Sequence, residues 1–203
     1  MTPEVRPFTI GVTTTQLLQP PEAVRDEFAR RRSILCHDAI EPGFLATLQG
    51  LCNRGGFMPD SVEGLGDREV EQPQRAGGAI SLALQREGLR RWLEAATGCG
   101  PLGKVEGRVV QTRANGHDQL DWHNDLQDPR RRLAITANLS EAPYEGGLFQ
   151  LRAVVTREML TEHLHAERGT VLIFDISRDL EHRVLPLTRG GPRRVYTGWF
   201  FRE

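Results

Sequence analysis

The spacing of hydrophobic residues predicts helices in the first half of the chain and short strands in the second. Apolar residues recur at helical intervals in two segments, and a proline pair followed by an early acid is typical of a helix start. Short β-branched runs predict strands. We therefore predict helices over 20–29, 42–52 and 83–96, the last closed by Gly98, and strands over 8–12 and 33–36.

From Lys104 onward, short β-branched runs alternate with turn residues. The predicted strands are 105–112, 120–123, 133–139, 148–151, 170–174, 182–185 and 195–200, with a short helical insertion over 156–165. Helices followed by seven or more strands suit an α+β fold, in which N-terminal helices buttress a double-stranded β-helix, the jelly-roll of the cupins.

One long segment, Asn53 to Gly78, shows no sustained periodicity and is rich in glycine, proline and charge. It is predicted to be a long loop, serving as a lid over a site or as a substrate-binding segment, or else partly disordered. Leu82, Leu89, Trp92, Leu93 and Ala96 form the predicted buried stripe of the third helix.

The length and composition indicate one globular domain over residues 1–203, with helical support and the variable loop in 1–100 and the jelly-roll core in 101–203. A net charge of −1, from 26 basic and 27 acidic residues, gives no overall attraction to nucleic acid or to an anionic membrane. Three widely spaced cysteines, Cys36, Cys52 and Cys99, indicate reduced thiols rather than a disulfide framework or a zinc site. No targeting or membrane-spanning segment is visible, so we expect a cytoplasmic protein, whose oligomeric state stays open.

The candidate chemistry lies around His123 and Asp125, which stand two residues apart, and around His182 downstream. Two histidines and one carboxylate on one face of an iron(II) ion form the facial triad of non-haem iron enzymes. A lone His-x-Asp is a weak signal, because most such tripeptides are surface residues. Here a glycine-pair hairpin and the strand-like run Gly169–Phe174 separate the two histidines, and a basic run follows the second, which strengthens the assignment.

Several ordered motifs over residues 105–201 resemble the 2-oxoglutarate- and iron(II)-dependent dioxygenases, nearest to their prolyl-hydroxylase-like branch. The motifs are Trp122–Asp125, Ala137–Ser140, Glu145–Phe149, Gly169–Phe174, His182–Leu187, Arg193 and Gly198–Phe200. Several ordered motifs together are much more specific than any one of them. The N-terminal half resembles the family only in the order of its helices and strands.

The resemblance implies that His123, Asp125 and His182 bind Fe(II), and that 2-oxoglutarate and O2 take the open positions. It also implies that Arg193 binds the distal carboxylate of 2-oxoglutarate, which a guanidinium can hold through two parallel hydrogen bonds. Arg194 would point to the opposite face of the strand. Thr136 and Asn138 are further candidate cosubstrate contacts; Asn138 stands where some relatives carry a tyrosine.

Other polar and aromatic residues are less specific. Gln111 and Arg113 are either substrate contacts or ordinary polar strand residues, and a tyrosine that the family often has near them is missing here. His117 is predicted to lie in a loop, and His163 and His165 on a helix, pointing apart. Trp122 and Tyr144 either border the pocket or belong to the core, and Trp199 is predicted to be core.

The expected activity is hydroxylation of an unactivated C–H bond in a peptide or protein side chain, an amino acid or a small metabolite, coupled to decarboxylation of 2-oxoglutarate to succinate and CO2. The alternative is a metal-binding cupin, an isomerase or a sensor, that does not use 2-oxoglutarate and has no need of Arg193. A degenerate binding module is disfavoured because the ligand residues and the cation are present. The balanced charge disfavours nucleic-acid demethylation, and the carboxylate Asp125 disfavours halogenation.

Overall fold

The computed structural model describes residues 5–62, 65–116 and 118–203, so the loop prediction for His117 lies outside the described residues. The helices are α1 Glu22–Arg31, α2 Pro42–Arg54, α3 Arg75–Leu84 and α4 Glu87–Thr97. The strands are β1 Phe8–Ile10, β2 Thr15–Leu17, β3 Ser33–Cys36, β4 Gly56–Val62, β5 Gly66–Gln72, β6 Leu102–Thr112, β7 Leu120–His123, β8 Arg131–Asn138, β9 Tyr144–Gly146, β10 Leu148–Ala153, β11 Met159–Leu164, β12 Val171–Asp175, β13 Leu180–Val184, β14 Leu187–Gly190 and β15 Arg193–Arg202. Among the described residues, no helix is long and apolar enough to span a membrane.

Two antiparallel sheets form a double-stranded β-helix, as the strand pattern predicted. The larger sheet has the order β3-β12-β8-β15-β6-β5-β4, and the smaller one the order β11-β10-β13-β7. Short pairs, β1 with β2 and β9 with β14, complete the strand pairing. The fold class is therefore α+β, with a jelly-roll core and helices that precede it in the chain.

The two faces of the larger sheet bury different residues because side chains alternate along each strand. On β8, Leu133, Ile135 and Ala137 join the main hydrophobic core together with residues of the four helices. Ala134, on the opposite face, packs with residues of the smaller sheet in a second cluster that includes Phe149 and Phe174. The space between the two sheets is thus separate from the helix-packed core.

Segment 53–78 is not a long loop, and that prediction is wrong. It contains the hairpin β4–β5, which joins the larger sheet through the pairs Glu69–Gln111 and Val70–Val110, and then the start of α3. The apolar alternation is hidden because two of the three buried side chains of β5, Arg68 and Glu71, are charged and only Val70 is apolar. Buried Arg68 donates to Asp60 at 2.8 Å, and the carboxylate of Glu71 accepts the N–H groups at the start of α3.

The predicted helix over 83–96 is in fact the end of α3 and the whole of α4. Arg86 interrupts it with an extended backbone, ψ 129°, and its guanidinium donates to the Gly11 carbonyl and the Thr15 hydroxyl. Leu89, Trp92, Leu93 and Ala96 are buried as predicted, and Gly98 ends α4 in a left-handed conformation. Leu82 is 74% exposed, because it belongs to the other helix and faces away from the core.

The predicted helical insertion over 156–165 is also wrong, because this segment forms β11, an edge strand of the smaller sheet. Its pairing with β10, for example Gln150 opposite Glu162, overrides the helix propensity of Met159, Leu160 and Glu162. The description of residues 1–100 as helical support was incomplete as well. They supply three strands of the larger sheet, β3, β4 and β5.

Candidate active site

The two histidines of the predicted triad face each other across paired strands. His123 ends β7 and His182 lies in β13, and they are direct antiparallel partners. Their ring centroids are 4.2 Å apart. Nδ1 of His123 lies 2.6 Å from the carbonyl oxygen of Asp121, so this nitrogen donates its proton there and leaves Nε2 free to face the site.

Asp125 completes the cluster because the chain turns sharply after β7. Its φ of +58° is in the left-handed region, which short polar side chains tolerate. One carboxylate oxygen lies 3.4 Å from Nε2 of His123, and the other lies 3.4 Å from Nε2 of His182. The candidate ligand atoms of the three residues all lie within 4.8 Å of one another, so the structure brings the predicted triad together.

Neighbouring residues hold Asp125 in this position. The indole nitrogen of Trp199 donates to its carboxylate at 2.9 Å. The guanidinium of Arg131 donates to its backbone carbonyl at 2.9 Å and stacks on the Trp199 ring, 3.8 Å from the centroid. Trp199 was predicted to be core, but it lines the cavity and orients a candidate ligand.

Burial and mutual charge shift the pKa values within the triad. Burial lowers the pKa of His182 to about 3, so this imidazole is neutral and available as a ligand. Burial also opposes protonation of His123, but the hydrogen bond with Asp125, the charge of Asp125 and the hydrogen bond with the Asp121 carbonyl together outweigh burial and raise the pKa of His123. The pKa of Asp125 is lowered, because the two histidines and Trp199 together outweigh the effect of burial.

An apolar wall surrounds the second histidine. The rings of Phe174 and Phe149 lie 4.6 Å and 5.8 Å from the His182 ring, centroid to centroid. Together with Leu172 and Val184 they line the cavity between the sheets. Such a wall excludes water and strengthens the electrostatic interactions of the polar groups beside it.

Arg193 lies in the same cavity as the triad. It is only 6% exposed, and its guanidinium has no hydrogen bond or ion pair with any described residue, with the buried Nε atom unpartnered. Arg194, the next residue, points to the opposite face of the sheet and donates to the side chain of Gln111 at 2.8 Å. Because unpaired buried charges are costly, the placement of Arg193 suits the binding of an anion in this cavity.

Thr136 and His165 lie beside Arg193 in the cavity lining. The Thr136 hydroxyl is 3.4 Å from Nδ1 of His165, and Nε2 of His165 lies 3.0 Å from the Thr170 carbonyl, to which it donates. Burial, and then the charge of Arg193, lowers the pKa of His165 to about 3, so the ring is neutral. His165 was not predicted as a site residue, because on the incorrectly predicted helix His163 and His165 would point apart and could not share a metal.

Asn138 is not in the cavity lining, and its side-chain amide is already engaged. Its nitrogen donates to the Tyr144 hydroxyl at 3.2 Å and to the His165 carbonyl at 3.0 Å, and its oxygen accepts from the backbone of Ser140. The prediction that Asn138 contacts the cosubstrate does not fit this arrangement. Asn138 instead fixes the chain that carries His165.

The remaining candidates lie outside the cavity. Gln111 and Arg113 both donate to Glu69, which favours the interpretation of simple strand polarity. Trp122 is packed between Arg152 and Arg183, 3.6 Å and 4.5 Å from its ring centroid. These residues are therefore not among those that line the cavity next to the triad.

The residues present fit an iron(II) ion and a dicarboxylate. Two imidazoles and one carboxylate make the facial donor set that leaves positions on iron(II) open. The unpaired guanidinium of Arg193 fits a distal carboxylate in the same cavity. The double-stranded β-helix and this donor set together define the class of non-haem iron oxygenases.

Comparison with known proteins finds a family similarity in the second half of the chain. Residues 109–201 match the family model described as the 2OG-Fe(II) oxygenase superfamily. These residues carry the whole candidate site, so the match falls on the part of the chain that holds His123, Asp125, His182 and Arg193. Members of the family use Fe(II), 2-oxoglutarate and O2. No curated protein sequence matches the chain.

Solved structures share the fold. A prolyl-4-hydroxylase of Pseudomonas putida is 22% identical, with a TM-score of 0.68 and coverage of 90% of this chain and 99% of that one. A prolyl hydroxylase of Trichoplax adhaerens, solved with a hypoxia-inducible-factor peptide fragment, is 14% identical (TM-score 0.68, coverage 89% and 88%). EvdO2 of Micromonospora carbonacea var. aurantiaca, complexed with 2-oxoglutarate, is 16% identical (TM-score 0.56, coverage 89% and 90%).

Proposed function

We propose that the chain hydroxylates an unactivated C–H bond of a peptide or protein side chain, an amino acid or a small metabolite. The coupled reaction converts 2-oxoglutarate, O2 and the substrate C–H group to succinate, CO2 and the hydroxylated product. The observation that carries this proposal is the placement of an unpaired, buried Arg193 in the same cavity as the triad.

Each residue of the site has a proposed task. His123, Asp125 and His182 would hold Fe(II), which when bound activates O2 and accepts the keto acid as a ligand. Arg193 would bind the distal carboxylate of 2-oxoglutarate, and Thr136, which lines the same cavity, would donate a hydrogen bond to that group. Trp199 and Arg131 hold Asp125 in position, and the phenylalanines beside His182 exclude water.

Anaerobic titration tests the proposal. Fe(II) and then 2-oxoglutarate are added while the weak visible charge-transfer band of the chelate is followed. We expect a band that saturates at one equivalent of iron, followed by succinate release when substrates are screened in air. Iron binding without any effect of 2-oxoglutarate would instead support the cupin alternative, an isomerase or sensor, which does not explain the unpaired Arg193.

The range of substrates is a proposal too. The likeness to prolyl hydroxylases supports a peptide or small-molecule substrate, and the balanced net charge supports the prediction that nucleic acid is not the partner. A cytoplasmic location also stays a prediction. The three free thiols are compatible with it, and burial raises the pKa of Cys52 to about 12.

A further inference from the structure

A groove rich in arginine opens beside the triad on its outer side. We define the arginine groove by Asp60, Arg68, Arg108, Gln127, Arg131 and Trp199, which line it together with His123 and Asp125. Arg68 comes from the hairpin β4–β5, Arg108 from β6, and Arg131 from the start of β8. Arginines from three separate elements therefore lie together next to the candidate iron ligands His123 and Asp125.

The three guanidinium groups differ in how they are paired. Arg68 donates to Asp60 at 2.8 Å, and Arg131 is held by the Asp125 carbonyl and the Trp199 ring. Arg108 is half-buried, and its guanidinium has no hydrogen bond and no ion pair with any described residue. Its Nε atom and that of Arg131 are both buried without a partner.

The local charge makes this arrangement costly for an empty groove. Burial, followed by the charge of Arg68, lowers the pKa of Arg108, although Asp60 and Asp125 act in the opposite direction. Among the described lining residues, three guanidinium groups face two carboxylates, of which Asp60 serves Arg68 and Asp125 belongs to the triad. An iron(II) ion on the triad would add further positive charge. A bound anion would offset this excess.

Arg108 is distinct from the cation assigned to the cosubstrate. Arg193 lines the inner cavity with Thr136 and His165, whereas Arg108 lines the outer groove, and neither of them lines both spaces. The groove also continues outward, since Arg108, Arg131 and Trp199 border a second depression with Gln74, Gly107, Phe201 and Glu106, the last of which is paired with Lys104. A substrate longer than a single amino acid has room along this path.

We propose that the substrate carries an oxyanion, a carboxylate or phosphate group, that binds Arg108 in the arginine groove while the carbon to be oxidised lies at the triad. This inference rests on the proposed oxygenase function and names the class of its substrate. The oxyanion comes either from a small organic acid or from an acidic side chain of an extended peptide, and the groove beyond Arg108 favours the peptide.

Phosphate binding near the metal tests the proposal without requiring turnover. Protein loaded with Mn(II) and saturating 2-oxoglutarate, so that Arg193 is occupied, is titrated with inorganic phosphate, and broadening of the phosphorus resonance by the metal is followed. We expect Arg108→Gln to raise the apparent Kd for phosphate at least tenfold. Arg108→Lys keeps the charge, so its apparent Kd for phosphate should remain within about threefold of the wild-type value. A tenfold change in Kd corresponds to roughly 1.4 kcal/mol.

The same substitution on an exposed helix, Arg91→Gln, is the matched control and should leave phosphate binding unchanged. Absence of broadening in the wild type, or equal broadening in wild type and Arg108→Gln, overturns the proposal. If Mn(II) and 2-oxoglutarate fail to bind at all, it is the oxygenase function that fails. Normal chelate formation with no effect of Arg108 rejects the oxyanion site alone.

A substrate screen separates the two sources of the oxyanion. Succinate release is measured with small organic acids and with acidic peptides, each compared with its neutral amide analogue. We expect the acidic peptides to be turned over with at least tenfold higher kcat/KM than their amides, and Arg108→Gln to remove that preference. Turnover of small acids only would keep the oxyanion and reject the peptide, and equal turnover of acids and amides would reject both.

Discussion

His182 is the candidate metal ligand that enters the site from β13, whereas His123 ends β7 and Asp125 follows it. We predict that His182→Ala abolishes turnover and stoichiometric Fe(II) binding, since two remaining ligands hold a labile ion poorly. The matched control is His37→Ala, which removes a histidine that pairs with Glu167 away from the site. Near-normal iron content and activity in His182→Ala would show that the triad assignment is wrong.

Arg193 provides the corresponding prediction for 2-oxoglutarate. Loss of a buried charge-assisted pair costs about 2–5 kcal/mol. Arg193→Ala should therefore raise the KM for 2-oxoglutarate by roughly 30-fold or more, at about 1.4 kcal/mol per tenfold, with iron binding intact. Arg194→Ala is the control on the opposite face of the strand. The reverse pattern, with Arg194→Ala affected and Arg193→Ala normal, would place the cosubstrate on the other residue.

Gly147 makes room for Arg193 and gives a third prediction. A Cβ atom at Gly147 would lie 3.3 Å from Cδ of Arg193 and 3.1 Å from Cδ2 of Leu187, and the φ of +69° disfavours any side chain. We predict that Gly147→Ala displaces the guanidinium and raises the KM for 2-oxoglutarate severalfold. Gly78→Ala, where the added Cβ has open space, should leave the KM unchanged. A normal KM for 2-oxoglutarate in Gly147→Ala would contradict the prediction, because it would mean that the Arg193 side chain accommodates the added methyl group without losing its position.

At the scale of single residues, the sequence was most informative where the chemistry depends on residue type and order. His123, Asp125, His182 and Arg193 lie together, as the family resemblance implied, although their roles stay predictions until tested. His165 was missed because its position depends on a strand that has no local signature. Arg68 and Arg108 were missed, and Trp199 was predicted to be core, because only sheet register brings these residues to the candidate metal site.

At the scale of the elements, the ring of Tyr196 packs over two glycines, Gly107 and Gly198, on the paired strands β6 and β15. Gly107 and Gly198 are direct partners, and a Cβ atom at Gly107 would lie 2.4 Å from Cζ of Tyr196. The Tyr196 hydroxyl hydrogen-bonds with Ser81 of α3 at 2.8 Å, so the same ring also joins the sheet to a helix. The pair of small residues thus lets a large side chain lie flat on the sheet.

We predict that Gly107→Ala destabilises the fold by about 1–3 kcal/mol, because the added methyl group forces Tyr196 out of its place. Thermal unfolding followed by circular dichroism should show the midpoint lowered by about 2–4 °C for each kcal/mol. Gly88→Ala in α4 has nothing within 4 Å of the added Cβ and should be neutral or stabilising. Equal stability of the two variants would mean that the ring can shift at no cost.

Elements were predictable where apolar periodicity marks burial on one side. The core strands and the helices α1, α2 and α4 have this pattern. The hairpin β4–β5 and the edge strand β11 do not, because their exposed or ion-paired side chains hide the alternation and pairing with distant strands decides their structure. The predicted lid is therefore a wall of the arginine groove, to which it contributes Asp60 and Arg68.

At the scale of the whole molecule, the helices and the jelly-roll share one hydrophobic core. Residues of α1 to α4 pack in the same cluster as Leu133, Ile135 and Tyr196 of the larger sheet. Because residues 1–100 also supply three strands of that sheet, neither half of the chain would keep its core covered alone. This supports the prediction, still untested, that residues 1–203 form one domain.

We predict that the helical layer and the active site unfold in a single transition, with one midpoint for both. Trp92 lies in the helical layer, where its indole donates to the Gln19 carbonyl, and Trp199 lies at the triad. Two variants, both with Trp122 replaced and each retaining a single tryptophan, either Trp92 or Trp199, report the two regions separately. In each variant, the fluorescence midpoint in denaturant should coincide with the midpoint of its own circular dichroism. If the Trp199 signal were lost well before the dichroism, the catalytic sheets would unfold independently of the helices, and the chain would consist of two units.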